Sequence, residues 1–271
     1  MSENVAPLLR THGLSVHYDG VVANTDIDIA VDSGEIVGLI GPNGAGKTTF
    51  VDAVTGFTEA TGQVTLAGAA LDRLGPHRRR RAGLARTWQA GELFGDLTVA
   101  QNLAVAVQPT GLRTLFSDIV GGSALPSETI EAALELVGVP GVSARRPGEL
   151  TLGQQKLVGV ARALVGGTRV VLLDEPAAGL DTHESREFGR HLRRVAASGI
   201  GVLLIDHDMS LVLDICARLY VLDFGVVIAA GEPARIREDP RVIAAYLGTA
   251  QPGDNDQAPL ATAARPAGET E

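Results

Sequence analysis

The chain has 271 residues, 45% of them hydrophobic and only 4% aromatic, long enough for one large domain or two modest ones around a sizeable core. Its formal net charge of −9 argues against non-specific nucleic-acid binding, because attraction to a phosphate backbone needs the opposite sign. Cys216 is the only cysteine, which excludes an intrachain disulfide and favours a reducing compartment.

The opening MSENVAPLLR lacks the charged-then-apolar order of a secretion signal, and no apolar run approaches the ~18 residues that cross a bilayer. A soluble, cytoplasmic chain is expected, with any membrane role reaching it through a partner. Leu8 to Leu71 is strand-rich. Asp26 to Val31 alternates polar and apolar, the period of a half-buried strand, and Gly62 to Gly68 is strand-like between glycines. Glu35 to Ile40 is apolar without alternation, as in a strand covered on both faces. Between about Val99 and Leu164 the character turns helical. Ile130, Ala133, Leu134 and Val137 fall on one helical face that Gly138 closes. Strands return at Arg169–Asp174 and Ile200–Ile205, and between them the capping-box spacing Asp181-Thr-His-Glu184 opens a helix to about Ala197. From Pro252 to Glu271 the Ala, Pro, Gly and acidic residues carry no apolar period, the composition of a disordered tail. Strands alternating with helices imply an α/β fold with a mostly parallel sheet and ligands at its carboxyl edge.

Gly41-Pro42-Asn43-Gly44-Ala45-Gly46-Lys47-Thr48, followed by Thr49, fits G-x-x-x-x-G-K-[ST] between a buried strand and a helix. Glycines let such a loop wrap a phosphate chain with backbone N–H groups pointing inward and the helix presenting its positive end. Lys47 would reach the β- and γ-phosphates, and the Thr48 hydroxyl would complete a magnesium shell. The pattern predicts a nucleotide phosphate site. Val170-Val-Leu-Leu-Asp174-Glu175 is an apolar run ending in two carboxylates. Acidic pairs at strand ends are common. Beside the glycine loop, however, Asp174 suits magnesium held through water, and Glu175 is placed to polarise an attacking water.

With these residues in place the chain resembles the ATP-binding subunits of ABC transporters from roughly Leu8 to Gly248. Tyr18 matches the aromatic that stacks on adenine, and Gln89 in ARTWQ matches the glutamine that touches magnesium and senses the membrane partner. Leu150-Thr151-Leu152-Gly153-Gln154-Gln155 matches the signature motif, with Thr151 and Leu152 where serine and glycine are usual. Gly153 and Gln154 open a helix expected from Gln155 to Leu164. Ala178 to Asp181 matches the D-loop, and His207 in LLIDHDM matches the switch histidine. Finer likeness, in ARTWQAGELFGDLTVAQNL and in the stretch through DPRVIAAYLG, is to the LivG-type subunit of branched-chain amino acid importers, which implies ATP hydrolysis energising import of branched-chain or related amino acids. The alternatives are another cargo, such as lipopolysaccharide export or urea or amide uptake, and a soluble ABC ATPase outside transport.

The resemblance implies an α/β P-loop NTPase with a mostly parallel core sheet, an N-terminal antiparallel β subdomain and an inserted helical subdomain. The ATP-binding domain would span 8–250, with helices inserted at about 90–165 and a tail at 251–271. It implies ATP and Mg2+ as cofactors and transmembrane permease subunits as partners. It further implies a second ABC ATPase subunit and a substrate-binding protein in the assembly, at the cytoplasmic face of the membrane and without nucleic acid. Two ATP molecules would be sandwiched between two such subunits, Lys47, Thr48 and Gln89 on one side and Thr151, Gly153 and Gln154 across. Glu175 would act as base and His207 would contact the γ-phosphate. The basic run Arg78–Arg81 is expected to be a solvated helix turn.

Overall fold

The structure, a computed structural model, describes residues 7–18, 20–87, 93–106 and 125–247. Strands β1 (Leu9–Tyr18), β2 (Val21–Ile27) and β3 (Ala30–Val31) lead into β4 (Ile36–Ile40) and helix α1 (Lys47–Thr55). After β5 (Thr61–Leu66) and β6 (Ala69–Ala70) come α2 (Pro76–Arg81) and β7 (Leu84–Arg86). Helices α3 (Val99–Val105), α4 (Ser127–Leu136) and α5 (Leu152–Leu164) then precede β8 (Val170–Asp174). The remainder alternates: α6 (Thr182–Ala197), β9 (Gly201–Ile205), α7 (Met209–Ile215), β10 (Arg218–Asp223), β11 (Val226–Gly231), α8 (Pro233–Glu238) and α9 (Pro240–Leu247).

Two sheets result. β2, β1, β5 and β6 pair in that order with β3 also on β1, all antiparallel. The second sheet runs β11-β10-β4-β9-β8-β7, parallel except for β11 at its edge. Strands β4, β8 and β9 are buried at every residue, which is why they read as unbroken apolar runs. Alternate side chains serve opposite layers. Val170 and Leu172 join α1 and the antiparallel sheet, whereas Val171 and Leu173 join the helices on the other face. In α4 the buried face is Ile130, Ala133 and Leu134, with Val137 behind it, and Gly138 closes the helix at φ 83°. This is the expected α/β architecture.

The strand read at Asp26–Val31 is broken between β2 and β3. Buried Thr11 supplies the missing ladder bonds: its hydroxyl donates to Ile27 O and accepts from Ile29 N–H, each at 2.9 Å. The alternating pattern survives because both pieces lean on the same core.

The expectation for Arg78–Arg81 is corrected. Arg78 and Arg81 are exposed, but Arg79 is only 6% exposed. Its guanidinium donates to Ala53 O at 2.9 Å, Val54 O at 2.7 Å and Leu74 O at 2.8 Å. A cation thereby satisfies the orphan carbonyls and the negative end of α1. Arg80 in turn donates to Thr168 Oγ1 and to Val165 O just beyond α5. Neither use has a periodicity to reveal it. Arg79→Ala should lower unfolding free energy in urea by about 2–3 kcal/mol, through buried carbonyls left unpaired. Arg78→Ala should change it by less than about 0.5 kcal/mol.

Candidate functional site

The strand registers bring the candidate residues to one edge. Leu39 of β4 and Asp174 of β8 both align with Ile205 of β9, and Ile40 aligns with Val221 of β10. Gly41, Glu175 and Asp206 therefore leave neighbouring strands at the same carboxyl end. From β4 the chain runs out to edge strand β7, returns through β8 and β9, and then crosses to β10. That reversal of direction around β4 opens the crevice in which such sheets bind ligands.

Between β4 and α1, Gly41, Gly44 and Gly46 have φ of 151°, 81° and 98°, conformations that side chains disfavour. Pro42 and Ala45 are buried, Asn43 and Thr48 are exposed, and Thr49 is partly buried. No side chain caps α1 at Gly46, so its first N–H groups stay directed at the loop. The loop is held from outside: Gly225 N–H donates to Ala45 O at 3.0 Å, and Asn24 Nδ2 donates to Gly46 O at 3.3 Å. Lys47 curls back, its Nζ donating to Gly41 O at 2.6 Å and Pro42 O at 3.0 Å. Burial lowers the Lys47 pKa, while Glu175 and Asp174 pull it upward. Tyr246 of α9 reaches the same loop, its phenol bonded to the Gly41 backbone. Burial pushes that phenol up to about 12.

Asp174 ends β8 with its side chain 6% exposed. Burial raises its pKa, and a hydrogen bond from Arg86 opposes the rise. Arg86 Nη2 lies 3.1 Å from Asp174 Oδ2, while Nη1 pairs with Asp52 of α1. Glu175 takes φ 47°, a strain of roughly 1–2 kcal/mol for a non-glycine residue. Its N–H donates to Ile205 O at 2.7 Å, so the chain turns off β8 toward β9. The turn brings Glu175 Oε1 to 3.8 Å from His207 Nδ1, which is also 3.8 Å from Asp206 Oδ1. Asp206 is buried, its pKa raised by that burial, and it accepts from Asp208 N–H and Ala177 N–H. Arg86, Asp52, Asp206 and Tyr246 join the site without being among its sequence-predicted residues. A signal existed for Asp206, an acid ending the apolar run VLLI directly before His207, and for Arg86, a charge ending the buried strand Leu84–Arg86.

The remaining candidates bond to other partners or fall outside the described residues. Tyr18 ends β1 about half exposed, its hydroxyl 3.2 Å from Thr58 Oγ1. Helix α5 starts at Leu152 and not at Gln155, because Thr151 is the N-cap. Thr151 Oγ1 accepts from Gln154 N–H at 3.3 Å, and Gln154 Oε1 accepts from Thr151 N–H at 3.1 Å. Gly153 has no neighbouring atom within 4 Å of where a Cβ would stand, so the helix tip is bare. Asp181 caps α6, accepting from His183 and Glu184 N–H. Its pKa is lowered, first by the bond from Glu184. Leu152 Cδ2 would sit 3.4 Å from a Cβ on Gly179, so the tips of α5 and α6 adjoin. Among the described residues, no hydrogen bond or ion pair joins Thr151, Gly153 or Gln154 to the Gly41–Thr49 loop. Gln89 lies outside the described residues.

Residues 24–178 match the family model described as ABC transporter, and residues 226–251 match the model for branched-chain amino acid ATP-binding cassette transporters. The high-affinity branched-chain amino acid transport ATP-binding protein LivG of Salmonella typhimurium is 39% identical over 253 residues, covering 90% of this chain and 99% of the relative. The lipopolysaccharide export system ATP-binding protein LptB of Acidithiobacillus ferridurans is 35% identical over 248 residues, covering 90% and 98%. A crystal structure of the ADP conformation of an ATP-binding cassette of an ABC transporter superposes with a TM-score of 0.78 at 30% identity, covering 89% of this chain and 99% of that one. The chain belongs to the ABC transporter family. Its fold is the α/β ATP-binding cassette, a P-loop ATPase.

Two of the loop's glycines should respond differently to a methyl group. A Cβ on Gly41 would stand 2.0 Å from Leu222 O, whereas one on Gly44 meets nothing within 4 Å. Gly44→Ala should lose about 1–2 kcal/mol, the left-handed backbone penalty alone. Gly41→Ala should lose roughly 4 kcal/mol or more, with ATP binding gone. Urea unfolding and nucleotide titration of the two variants measure the difference.

Proposed function

We propose that this chain is the ATP-hydrolysing subunit of an importer for branched-chain or related amino acids. It would work from the cytoplasmic face of the membrane through separate permease subunits, with a second ATPase subunit and a substrate-binding protein on the permease. What carries the activity is the convergence of the Lys47 loop, the Asp174–Glu175 pair and His207 at one sheet edge. The cargo is supported by the LivG relative and by the second family match at residues 226–251. The LptB relative favours a second cargo, lipopolysaccharide for export. Among the described residues no helix is long and apolar enough to cross a membrane, so the route across would belong to the permease.

The donor set fits Mg2+. Among the described residues no group of three or more His, Cys, Asp or Glu side chains could hold a metal alone. An ion that shares its shell with phosphate oxygens and water needs only one or two protein oxygens. Thr48, exposed on the first turn of α1, and Asp174 would hold it, with Gln89 as a third contact. When bound, the ion supplies neutralising charge along the phosphates.

On nucleotide binding Lys47 would exchange Gly41 O and Pro42 O for the β- and γ-phosphates, and the uncapped α1 amides would take phosphate oxygens. Tyr18 would stack on the adenine. Glu175, aimed off β8 by its backbone turn, would orient and deprotonate the attacking water. His207, 3.8 Å away, would hold the γ-phosphate side. Thr151 spends its oxygen on the helix cap but keeps its hydroxyl proton to donate. With Gly153 and Gln154 it would offer a bare helix tip to ATP on the partner subunit, and Asp181 would stand beside the joint. That no hydrogen bond or ion pair joins this tip to the Lys47 loop among the described residues supports a two-subunit sandwich.

Glu175→Gln keeps the shape and removes the base. Turnover should fall by ~100-fold or more, while ATP binding survives and an ATP-bound dimer accumulates when the second subunit is present. Near-normal ATPase rates would remove Glu175 from the base role, and a persistent monomer would remove the sandwich. Affinity purification from membranes, followed by uptake assays with leucine, isoleucine and valine, decides the cargo. Recovery of lipopolysaccharide-export components would favour the second cargo.

A further inference from the structure

Arg86 closes the edge strand β7, yet its side chain is only 6% exposed. Its two terminal nitrogens go to carboxylates on different elements: Nη1 to Asp52 Oδ1 on α1, and Nη2 to Asp174 Oδ2 at the end of β8, 3.1 Å away. Asp52 stands four residues after Thr48 on the same helix, one turn beyond the loop. The next residue continues the grip. Thr87 Oγ1 accepts from Asp174 N–H at 3.3 Å, and Thr87 N–H donates to Leu172 O at 2.9 Å. One short segment thus fixes both the backbone and the carboxylate of Asp174, and ties them to the helix that carries Lys47 and Thr48.

A guanidinium is a rigid planar fork, so two carboxylates on it are fixed in direction as well as in charge. Without it, a nearly buried Asp174 would lie beside Asp52 and Glu175 with no cation bonded to it, an arrangement that like charges relieve by moving apart.

We propose that Arg86 is a positioning residue for the nucleotide's magnesium. It commits one oxygen of Asp174 to its own Nη2, turns the other toward the ion, and fixes the distance from β8 to α1. The proposal rests on the reading of Asp174 as a magnesium-holding group. Its specific consequence is that Arg86 governs how much Mg2+ tightens ATP binding, and not ATP binding itself, which the loop amides and Lys47 supply.

The test is calorimetric titration of the full chain with ATP, once in EDTA and once with Mg2+. Arg86→Lys keeps the charge but can reach only one of the two carboxylates. Its Kd in EDTA should stay within about twofold of the wild type, while the tightening by Mg2+ falls about tenfold or more, the scale of a lost charge-assisted bond. Should that variant not fold, Asp52→Ala frees one arm of the fork and carries the test. It should lose about threefold of the Mg2+ tightening, and no loss would overturn the proposal. Equal weakening with and without Mg2+ would mean general structural damage and would overturn it too. Undiminished tightening in Arg86→Lys, beside a wild type that does tighten, would sink the positioning role alone. A wild type that Mg2+ does not tighten would remove the reading of Asp174, and this proposal with it.

Discussion

A partly buried ammonium bound by the carbonyls of its own loop is the interaction on which the rest depends. Lys47 Nζ, on Gly41 O and Pro42 O, stands where positive charge is disfavoured by burial and favoured by Glu175 and Asp174. The two influences oppose each other, and a better anion than a carbonyl would draw the ammonium away from the loop. On the proposed function phosphate would be that anion, because it brings full charges where the carbonyls bring dipoles. The glycines exist for this geometry. Gly41 passes so close to Leu222 O that no side chain fits.

The parallel sheet then determines what faces the cation. Because β8 and β9 align Asp174 with Ile205, the next residues of each strand emerge side by side. Glu175 must bend sharply, at φ 47°, to reach His207 instead of continuing with Asp174. Strain held at a functional position by the surrounding framework is a recognised pattern. Here the framework is the bond from Glu175 N–H to Ile205 O. The two acids are thereby given different neighbours, Arg86 for Asp174 and His207 for Glu175, in keeping with the different tasks proposed for them.

Much of this was legible in the sequence where a local pattern has one physical cause. The buried strands follow from apolar runs, α4 from its Ile130–Val137 stripe, and the start of α6 from the Asp181–Glu184 capping box, which the hydrogen bonds reproduce. The loop itself was legible because its glycines and lysine are adjacent in sequence. What escaped depends on contacts between distant segments. Arg79 caps a helix that ends 24 residues before it, and Arg86 joins α1 to β8 across 34 and 88 residues. No period or spacing encodes such pairings. Helix α5 starts three residues before the expected Gln155, because the Thr151 hydroxyl, the expected phosphate ligand, is also a strong N-cap. The role given to Gln89 falls on a segment outside the described residues.

On the proposed function the Gly41–Thr49 loop is a phosphate seat emptied and filled by Lys47. Isothermal titration of the wild type and of Lys47→Ala with ATP, on protein whose unfolding curves agree, tests it most directly. The account predicts that Lys47→Ala weakens ATP by about 100-fold or more, equivalent to about 2.7 kcal/mol, since the only lysine in the loop would no longer meet the phosphates. A Kd for Lys47→Ala within about threefold of the wild type would contradict it and place the nucleotide elsewhere on the molecule.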